Sequence, residues 1–211
     1  EIKNVADIVR YNAKNYSDKP STIFCDHSLS WSDVHELSSR MANGLSAEGV
    51  VATDRVLYFA GNADDYFLTI YASAKIGAAF IPLNWRLSVP EITAIVEDSA
   101  PKIALVDLIY KATWEEVQTK LTQKIKTIYI DPGKQADNPF WQWASKFDNS
   151  DPHFICEGDS TAWQIYTSGT TGAPKGVELT HAGIMNMRLC EHLEPAYTWG
   201  ANDRYLFCVP S

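Results

Sequence analysis

Apolar residues recur along this chain with two periods that take turns, and this alternation restricts the fold more than any other feature. Ile2, Val5, Ile8, Val9 and Tyr16 follow helical spacing, and Ser17-Asp18-Lys19-Pro20 ends that helix. Thr22 to Cys25, a turn at Asp26-His27, and Leu29 to Trp31 make a predicted hairpin. Ser32 is placed to cap the next helix, whose apolar face is Val34, Leu37, Met41 and Leu45, with Gly49 closing it. A strand over Arg55 to Phe59, a helix over Asp65 to Lys75 and a strand over Ala79 to Ile81 follow. The next helix spans Val89 to Asp98, with Pro90 in its first turn. Lys102 to Val106 is a strand, Trp114 to Leu121 a helix, and Thr127 to Ile130 a strand. A parallel strand pair needs a long crossover, and a helix is the compact way to build one. The expected class is therefore α/β, with a largely parallel sheet or sheets covered by helices.

The pattern loosens from Asp131 to Asp159, which holds Asp-Pro-Gly, Asp-Asn-Pro and Glu-Gly-Asp clusters and one short amphipathic piece at Phe140 to Phe147. This polar stretch is the predicted joint between an α/β subdomain, residues 1–150, and a second part, residues 151–211. The second part begins with a strand at Thr161 to Tyr166 and resumes with another at Val177 to Thr180. A helix at Ala182 to Leu193 and an apolar run at Arg204 to Pro210, expected to be a buried strand, complete it.

A net charge of −8 argues against a nucleic-acid partner, because tracking phosphates needs a local basic excess that no segment supplies. No apolar run approaches the roughly 18 residues of a membrane span, and Gly77 and Pro82 interrupt the most apolar stretch, Ile76 to Leu83. The amino terminus does not read as a signal peptide. Cys25, Cys156, Cys190 and Cys208 are far apart, without metal-site spacing. They are expected to be buried, reduced thiols of a cytoplasmic protein.

The chemistry-bearing segment lies between the two strands of the second part: Tyr166-Thr-Ser-Gly-Thr-Thr-Gly-Ala-Pro-Lys-Gly-Val177. Gly169 and Gly172 allow positive φ and close approach of the backbone to an anion. The hydroxyls of Thr167, Ser168, Thr170 and Thr171, with exposed N–H groups, make a donor-rich nest for phosphate oxygens. Lys175 adds a full positive charge, and Pro174 stiffens the chain before it. A bare Thr-Ser-Gly-Thr-Thr-Gly is ordinarily a solvated turn, and Gly176 after the lysine excludes a Walker loop.

The complete run of twelve residues resembles the phosphate-binding signature of the adenylate-forming superfamily, which holds acyl-CoA synthetases, nonribosomal adenylation domains and luciferases of the firefly type. Leu68 to Asn84 is similar to that family's helix-to-strand core motif, its small residues Ala72, Ala74, Gly77 and Ala78 allowing close packing of helix on sheet. Pro82-Leu-Asn-Trp-Arg-Leu87, with the later Glu97-Asp-Ser99, looks like fatty-acyl and aryl CoA ligases. The resemblance runs in order through essentially the whole chain.

That resemblance implies an incomplete amino-terminal part of the large domain of an acid:CoA ligase, using ATP, Mg²⁺ and CoA on a small-molecule carboxylic acid. The carboxylate attacks the α-phosphate to give acyl-AMP and pyrophosphate, and the CoA thiol then displaces AMP. Thr167, Ser168, Gly169, Thr170, Thr171, Gly172 and Lys175 would bind the β- and γ-phosphates, with Lys175 in the catalytic role of stabilising the departing pyrophosphate. The metal ligands, the adenine and ribose sites and the adenylation lysine are expected beyond Ser211, so these residues alone are expected to be inactive. The alternatives are an adenylation domain loading a carrier protein and a non-catalytic scaffold keeping this half of the fold. His181 is expected to be a structural or solvated histidine, and His27, His35, His153 and His192 receive no role. The pairs Trp141/Trp143 and Tyr197/Trp199 are expected as core or interface aromatics. The oligomeric state is not readable from the residues.

Overall fold

A computed structural model describes residues 2–132, 138–167, 174–193 and 203–208, with side chains as far as 187 in the third stretch. Helix α1 (Val5–Asn15) starts from a reciprocal cap: Asn4 accepts from the Asp7 N–H at 3.0 Å, and the Asp7 carboxylate accepts from the Asn4 N–H at 3.3 Å. Strands β1 (Pro20–Phe24) and β2 (His27–Ser30) pair as a separate two-stranded antiparallel sheet. Helix α2 (Trp31–Ala47) is capped by Ser30 and not by the expected Ser32. The hydroxyl of Ser30 accepts from the Asp33 N–H at 3.1 Å, while the Asp33 carboxylate accepts from the Ser30 N–H at 2.8 Å. A capping box needs an acidic or amide side chain three residues on. Ser30 has Asp33 there, whereas Ser32 has His35.

The remaining elements are β3 (Arg55–Phe59), α3 (Asp64–Lys75), β4 (Ala79–Pro82), α4 (Val89–Ser99), β5 (Ile103–Asp107), α5 (Lys111–Lys120), β6 (Lys126–Ile130), α6 (Pro139–Ala144), β7 (Thr161–Thr167), β8 (Lys175–Thr180) and α7 (His181–Leu193). Six strands form one sheet in the order β6-β5-β3-β4-β7-β8. All its pairings are parallel except β7 with β8, which run antiparallel. The α/β class and the mostly parallel sheet thus agree with the alternation of periods in the sequence.

Strand pleating explains the two cores. Val56 and Tyr58 of β3, Phe80 of β4 and Ile103 and Leu105 of β5 point to one face and meet Val9, Val34, Met41 and Leu68 from α1, α2 and α3. Their neighbours Leu57, Phe59, Ile81, Ala104 and Val106 point the other way and meet Ile92, Ile95 and Val96 of α4 and Trp114 and Val117 of α5. A parallel sheet covered on both faces needs such uninterrupted apolar strands.

Two further expectations fail. The run from Arg204 is not a strand where it is described, and Tyr205 and Leu206 are 70% and 81% exposed. Among its described residues only Phe207 packs inward, its ring 5.6 Å from that of Tyr66 and 5.3 Å from that of Phe67. Apolar composition alone does not make a strand; a neighbouring strand must take up the backbone hydrogen bonds. The cysteines also divide. Cys156 is buried, its thiol 3.1 Å from the Ala74 carbonyl and pushed up to about 11 by burial, but Cys25 and Cys208 are exposed. Cys25 lies between the paired residues Phe24 and His27, in the hairpin turn, which leaves it outside either core. No helix among the described residues is long and apolar enough to cross a membrane.

Candidate phosphate-binding site

Because β3, β4, β5, β6 and β7 run parallel, their carboxyl ends share one edge of the sheet, the edge where open α/β sheets place their ligands. β7 leaves the main sheet after its single register pair with β4, Trp163–Phe80, and ends at Thr167. β8 begins with Lys175, and the two are register partners facing each other across the antiparallel pair. Both are exposed. The two ends of the segment that connects them are therefore held one inter-strand spacing apart. Ser168, Gly169, Thr170, Thr171 and Gly172, also expected in the site, lie outside the described residues.

The rung below is built differently. Tyr166 faces Gly176. A Cβ added at Gly176 would lie 2.6 Å from Gln164 Nε2, 3.0 Å from Tyr166 Cζ and 3.1 Å from Tyr166 Oη. The tyrosine ring thus crosses the place where a side chain at 176 would stand. Its hydroxyl donates to Asp98 Oδ2 of α4 at 2.5 Å and accepts from Gln164 Nε2 at 3.0 Å. Gln164 is buried, and its Oε1 accepts from Arg55 Nε of β3 at 3.0 Å. Burial and the bond to Asp98 push the Tyr166 hydroxyl well above its ordinary range, so it stays protonated at neutral pH and can only bond Asp98 as a donor. The twelve-residue run marked Tyr166 in the sequence, but nothing local tied it to Asp98.

The carboxyl edge also carries acids, and these are internally engaged. Asp107 accepts from the Ile109 N–H at 3.0 Å. Asp65, buried at the start of α3, accepts from Asn138 Nδ2 at 3.1 Å and Trp141 Nε1 at 3.2 Å, and burial raises it to about 7. Asp64 meets His27 from the hairpin. Among the described residues no group of three or more His, Cys, Asp or Glu side chains is placed to hold a metal ion. The exposed hydroxyl of Thr167 and ammonium of Lys175 are the donor chemistry that phosphate oxygens require, so the described part of the loop fits a polyphosphate.

The other expected residues that are described play structural parts. His181 is 1% exposed, and its Nδ1 accepts from the Val5 N–H at 3.3 Å. Burial lowers its pKa, which keeps it neutral and structural between α7 and α1. Trp141 and Trp143 are packing aromatics: Trp143 lies 5.9 Å from Phe140 and 5.2 Å from Phe147, ring to ring. Tyr197 and Trp199 lie outside the described residues. A cleft of about 230 Å³ opens at the opposite, amino end of the strands, between Thr53, Arg55 and Glu178.

The chain is 27% identical over its whole length to a fatty acid–[acyl-carrier-protein] ligase, ScoC, of Streptomyces coeruleorubidus, of which it covers 40%. Over 79% of its length it is 32% identical to the long-chain-fatty-acid–CoA ligase FadD13 of Mycobacterium tuberculosis, covering 32% of that protein. The chain thus spans well under half the length of both relatives. An inhibitor-bound crystal structure of the N-terminal domain of FACL13 from Mycobacterium tuberculosis superposes with a TM-score of 0.74 at 27% identity, over 85% of this chain and 44% of that one. The AMP-binding enzyme family matches residues 9–211, which include both the sheet and the Thr167–Lys175 loop, and the chain belongs to that family.

Proposed function

We propose that these residues are the incomplete amino-terminal part of an ATP-dependent acid:CoA ligase, which activates a small-molecule carboxylic acid as its acyl-AMP and passes the acyl group to CoA. Residues 1–150 are the α/β subdomain in this reading, and 151–211 are the linker, phosphate loop and following elements. The observation that carries it is the register pair Thr167–Lys175, which sets a hydroxyl and an ammonium side by side at the end of the β7–β8 ribbon, where the signature run leaves and re-enters it. Lys175, Thr167 and residues 168–172 hold the β- and γ-phosphates of ATP. Lys175 does its main work as pyrophosphate departs, because negative charge then gathers on the oxygens beside it. Mg²⁺, when bound, neutralises phosphate charge; its ligands are not assigned among these residues. A cytoplasmic location belongs to the same proposal.

The experiment is ATP–pyrophosphate exchange with a panel of carboxylic acids. The 211-residue chain alone gives no exchange above background. In a longer chain carrying the complete ligase, Lys175→Ala slows exchange by roughly 10²–10³, the equivalent of about 2–4 kcal/mol of barrier, with a smaller effect on acid binding. Near-normal exchange in that variant would make Lys175 an ordinary surface lysine. A carrier-protein acceptor is the second reading, supported by the match to the carrier-protein ligase across the whole chain. Supplying CoA and a phosphopantetheinylated carrier protein in parallel separates the two.

A further inference from the structure

We propose that Tyr166, anchored by Asp98 of α4, is a positioning residue that fixes how Thr167 and Lys175 present their donors to phosphate. The proposal rests on the phosphate-binding reading above and adds to it the residues that hold the loop's stem.

Strand β7 is attached to β4 through a single register pair, Phe80–Trp163, whereas β7 and β8 are paired from Thr161–Thr180 up to Thr167–Lys175. The loop end of this ribbon therefore extends past its last rung to the main sheet. Two-stranded ribbons twist more than strands inside a sheet, so an unsupported end would not hold one orientation. Tyr166 sits three residues beyond the last rung and one residue before the loop. Its ring lies over Gly176, where any side chain would collide with it, and its hydroxyl reaches Asp98, 68 positions away in sequence. Gln164 bonds the same hydroxyl and, through Arg55, ties the ribbon to β3. The ribbon end is thus held from α4 on one side and from β3 on the other. Asp98 is exposed, so the contact does not arise from burial of a stray charge. A glycine opposite the tyrosine and a carboxylate at the end of its reach are the two things this support requires.

The test measures Kd for Mg²⁺·ATP and for inorganic pyrophosphate by calorimetry, with thermal midpoints and amide hydrogen exchange recorded on the same proteins. The chains are the wild type, Tyr166→Phe, Asp98→Ala, Asp98→Asn and Lys175→Ala. Tyr166→Phe and Asp98→Ala should each weaken both ligands about three- to tenfold, the range of one partly exposed charge-assisted hydrogen bond. Their thermal midpoints should stay near the wild type, while exchange quickens at residues 175–177 and is unchanged in β3. Asp98→Asn should recover most of the affinity, since its amide oxygen still accepts from the tyrosine. Wild-type affinity in Tyr166→Phe and Asp98→Ala, beside weakened binding in Lys175→Ala, would overturn the positioning role and leave the phosphate reading standing. A loss of affinity that merely tracks a lowered midpoint would also overturn it. Binding indifferent to Lys175→Ala, or absent from the wild type, would remove the phosphate reading and this proposal with it.

Discussion

Lys75 sits at the last turn of α3 with no exposed surface, which is unusual for an ammonium group. Its neighbours explain how it is tolerated. Nζ donates to the His35 carbonyl at 2.9 Å and to Ser39 Oγ at 2.7 Å, and Asp151 Oδ2 lies 3.6 Å away. Asp151, with a side chain 3% exposed, also takes both arms of Arg10, from Nε at 2.9 Å and Nη2 at 2.7 Å. Burial opposes ionisation of Asp151, but the Arg10 hydrogen bonds and the Lys75 charge overcome it and hold the carboxylate well below its usual range. For Lys75 burial wins over Asp151 and lowers the ammonium from 10.5 to about 7. The unfolded chain therefore binds the extra proton between these two values, and stability should rise as pH climbs through that window. Urea unfolding at pH 7 and pH 9 should show the increase in the wild type and little of it in Lys75→Met. Asp65 works in the opposite sense: raised from 3.8 to about 7, it makes the native state the better proton binder, so its contribution falls as pH rises from about 4 to 7. A wild type no more stable at pH 9 than at pH 7 would show that Lys75 is not strained by its burial.

Among the elements, α6 depends most on its surroundings. Six residues are too few for a helix to stand alone in water. Asn138 starts it by accepting from the Phe140 N–H at 3.0 Å, and the same side chain donates to Asp65 of α3. Its outer face is carried onto α2 by Trp143, whose ring rests on Gly44: a Cβ there would lie 2.6 Å from Trp143 Cη2 and 2.8 Å from Phe147 Cδ2. A glycine inside a helix normally gives up about 1 kcal/mol against alanine. Here the alanine methyl would collide with two rings, and overpacking costs about 1–3 kcal/mol. Gly44→Ala should thus lower the urea midpoint, and the same change made in a Trp143→Ala, Phe147→Ala background should be neutral or stabilising. Stabilisation by Gly44→Ala alone would mean that α6 does not dock on α2.

For the whole molecule, the order of the sheet sets where it is firmest. β3 lies between β5 and β4, and Val56 to Phe59 are buried on both faces. β8 is an edge strand exposed from Lys175 to Glu178, and β1–β2 is a sheet of its own. Opening free energies follow burial and pairing, so hydrogen exchange should be slowest in β3 and β5 and fastest in β8 and the hairpin. Mass-resolved exchange on the 211-residue chain checks this order. Protection of β8 equal to that of β3 would contradict the strand order.

The alternation of periods determined the α/β class and the position of nearly every element, because side-chain period is a local property that burial on one face or two writes directly into the sequence. The family was equally legible from its signature, one uninterrupted run from Tyr166 to Val177. Periodicity could not choose partners. That β7 pairs with β4 and that the described part of the apolar run at Arg204 forms no strand were decided by packing. So were the meetings of Lys75 with Asp151 and of Tyr166 with Asp98. A charged or hydroxyl side chain carries no mark of its partner in the chain around it. Its partner is whichever group the folded elements bring within hydrogen-bonding distance, and burial then fixes what the contact is worth.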